Sequence, residues 1–142
     1  MKELEIEALV DNLDAVIAFV DEQLEEMDCP PKIQIQIDLA VEEIFVNIAN
    51  YAYQPETGNA AVCVETDAAQ QTVTITFTDR GMPYDPLARE DPDITQSVEE
   101  RQIGGLGVFL VKQTMDDVQY EYRDGMNILT VCKRIAAWEG QA

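Results

Sequence analysis

Histidine is missing altogether from the 142 residues, and cations are scarce: nine Lys and Arg stand against 28 Asp and Glu, a formal charge of −19. Without imidazole the chain has no side chain that ordinarily titrates near neutral pH, and it lacks the commonest metal ligand, which removes Ser–His and Cys–His catalysis and most zinc chemistry. The shortage of Lys and Arg sets a long-range field that repels nucleic acid and acidic membrane surfaces, so neither is expected as a direct partner. A bound phosphate would have to be held by local backbone dipoles and a cation, against the global field. Cysteine is sparse as well: Cys29, Cys63 and Cys132 are odd in number and contain no Cys-x-x-Cys. They indicate neither a disulfide framework nor a zinc site, and read as small buried hydrophobes in a reducing compartment. No apolar stretch approaches the ~18 residues of a membrane span and Met1-Lys2-Glu3-Leu4-Glu5 has no signal core, so a cytoplasmic location is expected.

What is present suits one domain, residues 1–142, long enough to bury roughly two-thirds of the surface its unfolded form exposes. Its most organised stretch runs from Pro31 to Tyr53. Ile33, Ile37, Val41, Ile44, Ile48 and Ala52 recur at helical spacing, and Ile35, Leu39 and Val46 form a second apolar line, predicting a helix with little solvated surface. Glu43 and Asn47 lie one turn apart flanking the main stripe, either as a solvated surface pair or as polar groups facing a site.

Leu4, Ile6 and Ala8 alternate with glutamates, a half-buried strand. A helix from Asp11 or Asn12 as cap to about Met27 follows, with Val16, Ile17, Phe19, Val20 and Leu24 inward, and Cys29-Pro30-Pro31 breaks to the central helix. Ala61 to Val64 reads as a short strand, Ala68 to Gln71 as a turn, and Thr72 to Asp79 as a strand with strict alternation. Val73, Ile75 and Phe77 share a face, and Asp79 falls on that face. An inward carboxylate there needs donors; equally, Asp79 fits a turn cap with Gly81 after the strand has ended. Residues 88–102 are polar, consistent with a cover over a site or with a plain surface loop. Ile103 to Val111 joins a glycine-rich turn to an apolar helix ending near Met115, and glycines let a backbone approach a ligand. Val118 to Arg123, the turn Asp124-Gly125, and Ile128 to Lys133 form a hairpin; residues 136–142, with Trp138, read as a loosely held tail. The order predicts an α/β (α+β) two-layer sandwich with helices on one face of a mixed, largely antiparallel sheet.

Glu43-x-x-x-Asn47, then Asp79-x-Gly81, then Gly105-x-Gly107, in this element order, resembles the ATPase fold shared by gyrase B and histidine kinases. Within it, the Asp79-Arg80-Gly81-Met82-Pro83-Tyr84-Asp85-Pro86 run, Gly104-Gly105-Leu106-Gly107 and the helix end at Met115-Asp116-Asp117 look most like the bacterial anti-sigma-factor serine/threonine kinases. The resemblance covers about residues 3 to 135 and implies the following roles. Asn47 ligates Mg²⁺ and Glu43 is the general base. Asp79 takes the adenine amino group of ATP, and Gly81 lets the backbone pass close to the base. Gly104, Gly105, Leu106 and Gly107 cradle the phosphates, and Thr130 holds a water beside the adenine. Arg101 reaches the γ-phosphate from a lid at 88–102. Many relatives carry His where this chain has Tyr51. The implied partners are a STAS-type anti-anti-sigma substrate, a sigma factor or analogous regulator, and a second copy as a homodimer. The alternative is a nucleotide-gated protein-binding module without productive transfer.

Overall fold

The computed structural model describes residues 1–53, 55–86 and 105–135, with the backbone alone over 105–109. Strand β1 (Lys2–Glu7) leads through a 3-10 turn to helix α1 (Leu13–Glu26) and helix α2 (Pro31–Tyr51). Strands β2 (Asn59–Asp67) and β3 (Thr72–Asp79) form one hairpin; helix α3 (Gly105–Thr114) precedes a second, β4 (Asp117–Arg123) and β5 (Met126–Arg134). The sheet order is β1-β2-β3-β5-β4. All four ladders among the described residues are antiparallel, so the sheet is not mixed. Each strand pair is a hairpin or a neighbour across an edge, and none requires a parallel crossover.

Alternation decides the layers. Val62 and Val64, Val73, Ile75 and Phe77, and Leu129 and Val131 are buried, while Cys63, Thr74, Thr76 and Thr130 between them are only half covered. One face of the sheet therefore packs on the helices and the other is a threonine-rich open face, the pattern of a two-layer α+β sandwich. The opposing layer supplies Val16, Val20 and Leu24 from α1 and Ile37, Val41, Ile44 and Phe45 from α2.

The turns have local causes. The β4–β5 turn places Asp124 and Gly125 at φ 55° and 77°, the left-handed pair that a two-residue hairpin loop requires. After α1, Asp28 sits at φ 55° while Cys29 N–H donates to the Leu24 carbonyl, closing the helix before Pro30 and Pro31 start α2. The expected cap of α1 does not form: Asn12 turns its amide to the Glu7 carbonyl at 2.9 Å, and a 3-10 turn over Val10–Asn12 makes the entry instead.

The central helix is also less enclosed than its composition suggests. Ile35 and Leu39 are 60% and 58% exposed. With the sheet below, α1 on one flank and α3 on the other, the side of α2 facing away from the sheet has no described neighbour to cover it.

Candidate functional site

The C-terminal half of α2, the ends of β3 and β5, strand β4 and helix α3 surround an open cleft of about 660 Å³, including its mouth. Glu43, Asn47 and Tyr51 enter from α2, Asp79 from the end of β3, Met82 and Tyr84 from the following loop, Val111 from α3, and Tyr120 and Asn127 from the β4–β5 hairpin. Phe77, Ile44, Ile48 and Leu129 supply apolar wall. Size and lining suit a small organic ligand with a flat apolar part and a few fixed polar contacts.

Glu43 and Asn47 share the cleft because a spacing of four residues puts both on one side of α2. They are half-buried, and Glu43 has its proton affinity raised, first by burial and then by the neighbouring Glu42 charge. A carboxylate in that condition is a better proton acceptor than one in water.

Asp79 is the inward carboxylate that strand phase requires, 5% exposed. Its Oδ1 accepts from Gly81 N–H at 2.9 Å and from the Asn127 side-chain amide at 2.9 Å. The turn-cap and the inward-facing readings are thus both satisfied, by one oxygen. The second oxygen, Oδ2, takes no hydrogen bond from a described residue, and Asp79 is part of the cleft lining.

The loop after β3 is pinned to the end of α2 at two points. Met82 N–H donates to the Ala52 carbonyl at the end of α2 (2.9 Å), and Arg80 N–H donates to the Tyr53 hydroxyl (2.8 Å). That hydroxyl in turn donates to the Asn59 carbonyl at 2.6 Å, tying the end of α2 to β2. Gly81 must be small for the fold itself: a Cβ there would stand 2.1 Å from the Ala52 carbonyl oxygen, where the loop closes on α2.

Thr130 is not at the site. It pairs with Thr76 and Gln119 on the open face, because on β5 the inward phase belongs to Asn127, Leu129 and Val131. Gly105, Leu106 and Gly107 form the first turn of α3, where backbone N–H groups lack intrahelical acceptors. Arg101, Gly104, the segment 88–102 and the tail 136–142 lie outside the described residues. Among the described residues, no Lys or Arg lines the cleft and no cluster of acidic or cysteine ligands is arranged to cage a metal.

Against models of known families, residues 6–133 match the histidine kinase-like ATPase domain. The chain belongs to that family. Similar proteins include the serine/threonine-protein kinase BtrW of Bordetella bronchiseptica, 29% identical over 105 residues that make up 74% of this chain and 73% of that protein. The serine-protein kinase RsbW of Listeria monocytogenes is 28% identical over 66% of this chain and 61% of its own length, and that of Bacillus thuringiensis 30% identical over 64% and 58%. The chain thus matches about three-fifths of the length of the RsbW proteins. Among solved structures, the histidine kinase domain of the blue-light activated histidine kinase EL346 from Erythrobacter litoralis shares the fold, with a TM-score of 0.52 at 14% identity over 87% of this chain and 61% of that one.

Two cleft residues of this histidine kinase-like ATPase domain, Asn127 and Tyr120, belong to none of its sequence motifs. Asn127, 7% exposed, touches Asp79, Met82 and Tyr84, and the Tyr120 hydroxyl donates to it. The signal was available: counting from the Asp124-Gly125 turn puts Asn127 in phase with Leu129 and Val131, a polar residue on an inward face. No helix among the described residues is long and apolar enough to cross a membrane.

Proposed function

We propose that the chain is an ATP- and Mg²⁺-dependent protein serine/threonine kinase that phosphorylates a STAS-type anti-anti-sigma regulator and, in its other state, holds a sigma factor or analogous partner. The observation that carries this reading is Asp79: its Oδ1 is occupied by the protein's own donors, its Oδ2 takes none from a described residue, and it lines a cleft that Glu43 and Asn47 also line. Oδ2 is an acceptor awaiting an amino donor, and the adenine amino group is one.

The residues present fit the nucleotide. The apolar wall of Phe77, Ile48 and Leu129 suits a base, and the first-turn N–H groups of α3 suit phosphate oxygens. Asn47 would hold magnesium by its side-chain oxygen, with the phosphates completing the shell, since Mg²⁺ keeps several oxygen ligands from substrate and water. Bound there, the metal supplies charge neutralisation that a cleft without described cations lacks. Glu43 accepts the proton of the attacking serine hydroxyl, a role its burial favours. Alignment and charge neutralisation are most of what phosphoryl transfer needs, so the absence of histidine is no obstacle.

The names of the BtrW and RsbW relatives support serine/threonine kinase activity. The sigma-factor and STAS-type partners, the cytoplasmic setting and a homodimer rest on the family resemblance. The test is transfer from ATP labelled at the γ-phosphate to a panel of candidate partner domains. Phosphoserine on a partner, lost in Glu43→Gln while ATP still binds, is the expected result. ATP binding with no label on any partner would replace the kinase by a nucleotide-gated binding module.

A further inference from the structure

The orientation of the Asn127 carboxamide is not a matter of choice. Tyr84 N–H can only donate, and it points at one end of the amide at 3.1 Å; the Met82 carbonyl can only accept, and it meets the other end at 2.8 Å. The oxygen must therefore face Tyr84 and the nitrogen must face Met82. The Tyr120 hydroxyl donates to the same oxygen, and the remaining amide proton goes to Asp79 Oδ1 at 2.9 Å. Every atom of this carboxamide is committed, inside a site from which water is nearly excluded.

Asp79 inherits that order. A carboxylate can rotate about its last bond and exchange its two oxygens, or swing to present both to a ligand. Gly81 N–H and Asn127 Nδ2 both bind Oδ1, which holds the group in one orientation and leaves Oδ2 as its unengaged acceptor beside the cleft that Asp79 lines. A lone, oriented acceptor discriminates among bases: it accepts from an exocyclic amino group and opposes a carbonyl oxygen in the same place.

We infer that Asn127, held by Tyr120, is the positioning residue that makes the cleft select a 6-amino purine over a 6-oxo purine, acting through Asp79. The inference rests on the nucleotide reading above and adds to it the residue that enforces base identity. Asn127 lies behind the carboxylate and acts without touching the base. A carboxylate freed from it can turn aside, and the preference between amino and oxo bases shrinks.

The test uses the full chain and two nucleotides that differ at this position, ATP and ITP, each with Mg²⁺, with Kd measured by calorimetry. Wild type binds ATP at least about tenfold tighter than ITP, the scale of one charge-assisted hydrogen bond. Asn127→Leu keeps the number and branching of the heavy atoms and removes both amide functions; the ITP-to-ATP ratio falls toward one, chiefly through loss of ATP affinity. Tyr120→Phe removes a single hydroxyl, keeps the fold and narrows the ratio several-fold. General loosening of the cleft would weaken both nucleotides alike and leave the ratio standing, which would overturn the inference. If Asn127→Leu does not fold, as judged by circular dichroism, Tyr120→Phe decides, and an unchanged ratio there overturns it equally. Wild type that binds both nucleotides with one affinity removes this inference and keeps the nucleotide site; wild type that binds neither removes the nucleotide reading and this inference with it.

Discussion

Between α1 and α2, Asp21 and Asp38 face each other with both Oδ1 atoms shut off from solvent and without a partner among the described residues. Two ionised carboxylates can only repel each other, so their closeness favours a proton on one of them. Burial, the bond to Asp21 and the charges of Asp21 and then Glu25 together raise Asp38 from 3.8 to about 8. The buried Cys29 thiol, close enough to feel both carboxylates, is raised too, first by burial. In the unfolded chain Asp38 releases its proton near 3.8, whereas the folded protein keeps it until about 8. The contribution to stability is therefore complete below about pH 4, declines as pH rises through the interval, and is gone above about pH 8.

Four decades of proton affinity correspond to ~5–6 kcal/mol at about 1.4 kcal/mol per decade. Solvent reaching a half-buried pair and relaxation of the helices reduce this, and we take ~2–3 kcal/mol as the usable figure. The perturbation is Asp38→Asn, which carries a permanent donor in place of the proton. Urea unfolding at pH 5.5, 7.0 and 8.5 is the assay. Wild type should lose ~1–2 kcal/mol across that series beyond whatever the variant loses, because part of the contribution is already gone at pH 5.5. The variant retains nearly all of the −19 charge and so serves as its own control for general self-repulsion. At pH 8.5 Asp38→Asn should be the more stable protein. Parallel pH profiles for the two proteins would refute the shared proton and the geometry behind it.

Other perturbations test the cleft and its frame. Asp79→Asn can keep its oxygen on Gly81 and Asn127 but turns an amide toward the cleft, so ATP affinity should fall ~10- to 100-fold in calorimetry with little change in urea midpoint. Glu43→Gln should lower the transfer rate ~10²- to 10⁴-fold in single-turnover labelling while leaving ATP Kd within about threefold. Gly81→Ala drives a methyl into the Ala52 carbonyl and should destabilise by ~1–3 kcal/mol in urea unfolding, whether or not nucleotide is bound. Phe77→Ala, at the buried centre of β3 and in the cleft wall, should cost ~3–5 kcal/mol in the same assay.

Where the physics is periodic, residue order alone was enough. Strand β3 spans Thr72–Asp79 as its alternation requires, because one face is buried and a slip of one residue would put Val73, Ile75 and Phe77 in water. Asp79 points inward for the same reason, and the helix repeat puts Glu43 and Asn47 on one side of α2, which the packing of the other elements makes a wall of the cleft. The open side of α2 was not legible. Ile35 and Leu39 continue an apolar line, but whether such a line is covered depends on where α1 and α3 lie, which no local pattern encodes. The antiparallel character of the whole sheet depended likewise on which strands become neighbours.

Thr130 and Asn127 show the limit more sharply, because both lie on β5 and both could be argued polar partners of an adenine-side carboxylate. Family analogy favoured the threonine; geometry favours the asparagine. The register Asp79↔Asn127 brings an inward carboxylate opposite an inward carboxamide, whereas Thr130 stands opposite Thr76 on the other face. An odd separation of three residues along a strand is enough to exclude one of the two from the cleft. A motif carried over from relatives fixes a residue type and an approximate place, but the face it occupies is set by the turn that starts the strand, here Asp124-Gly125. One residue added to that turn, keeping the β4 ladder and shifting β5 by one position, would put Met126 in the place of Asn127 opposite Asp79, leaving Asp79 with Gly81 as its single donor. The prediction is loss of ATP binding together with lowered stability, and retained ATP affinity in such an insertion variant would show that the register is not what orders the carboxylate.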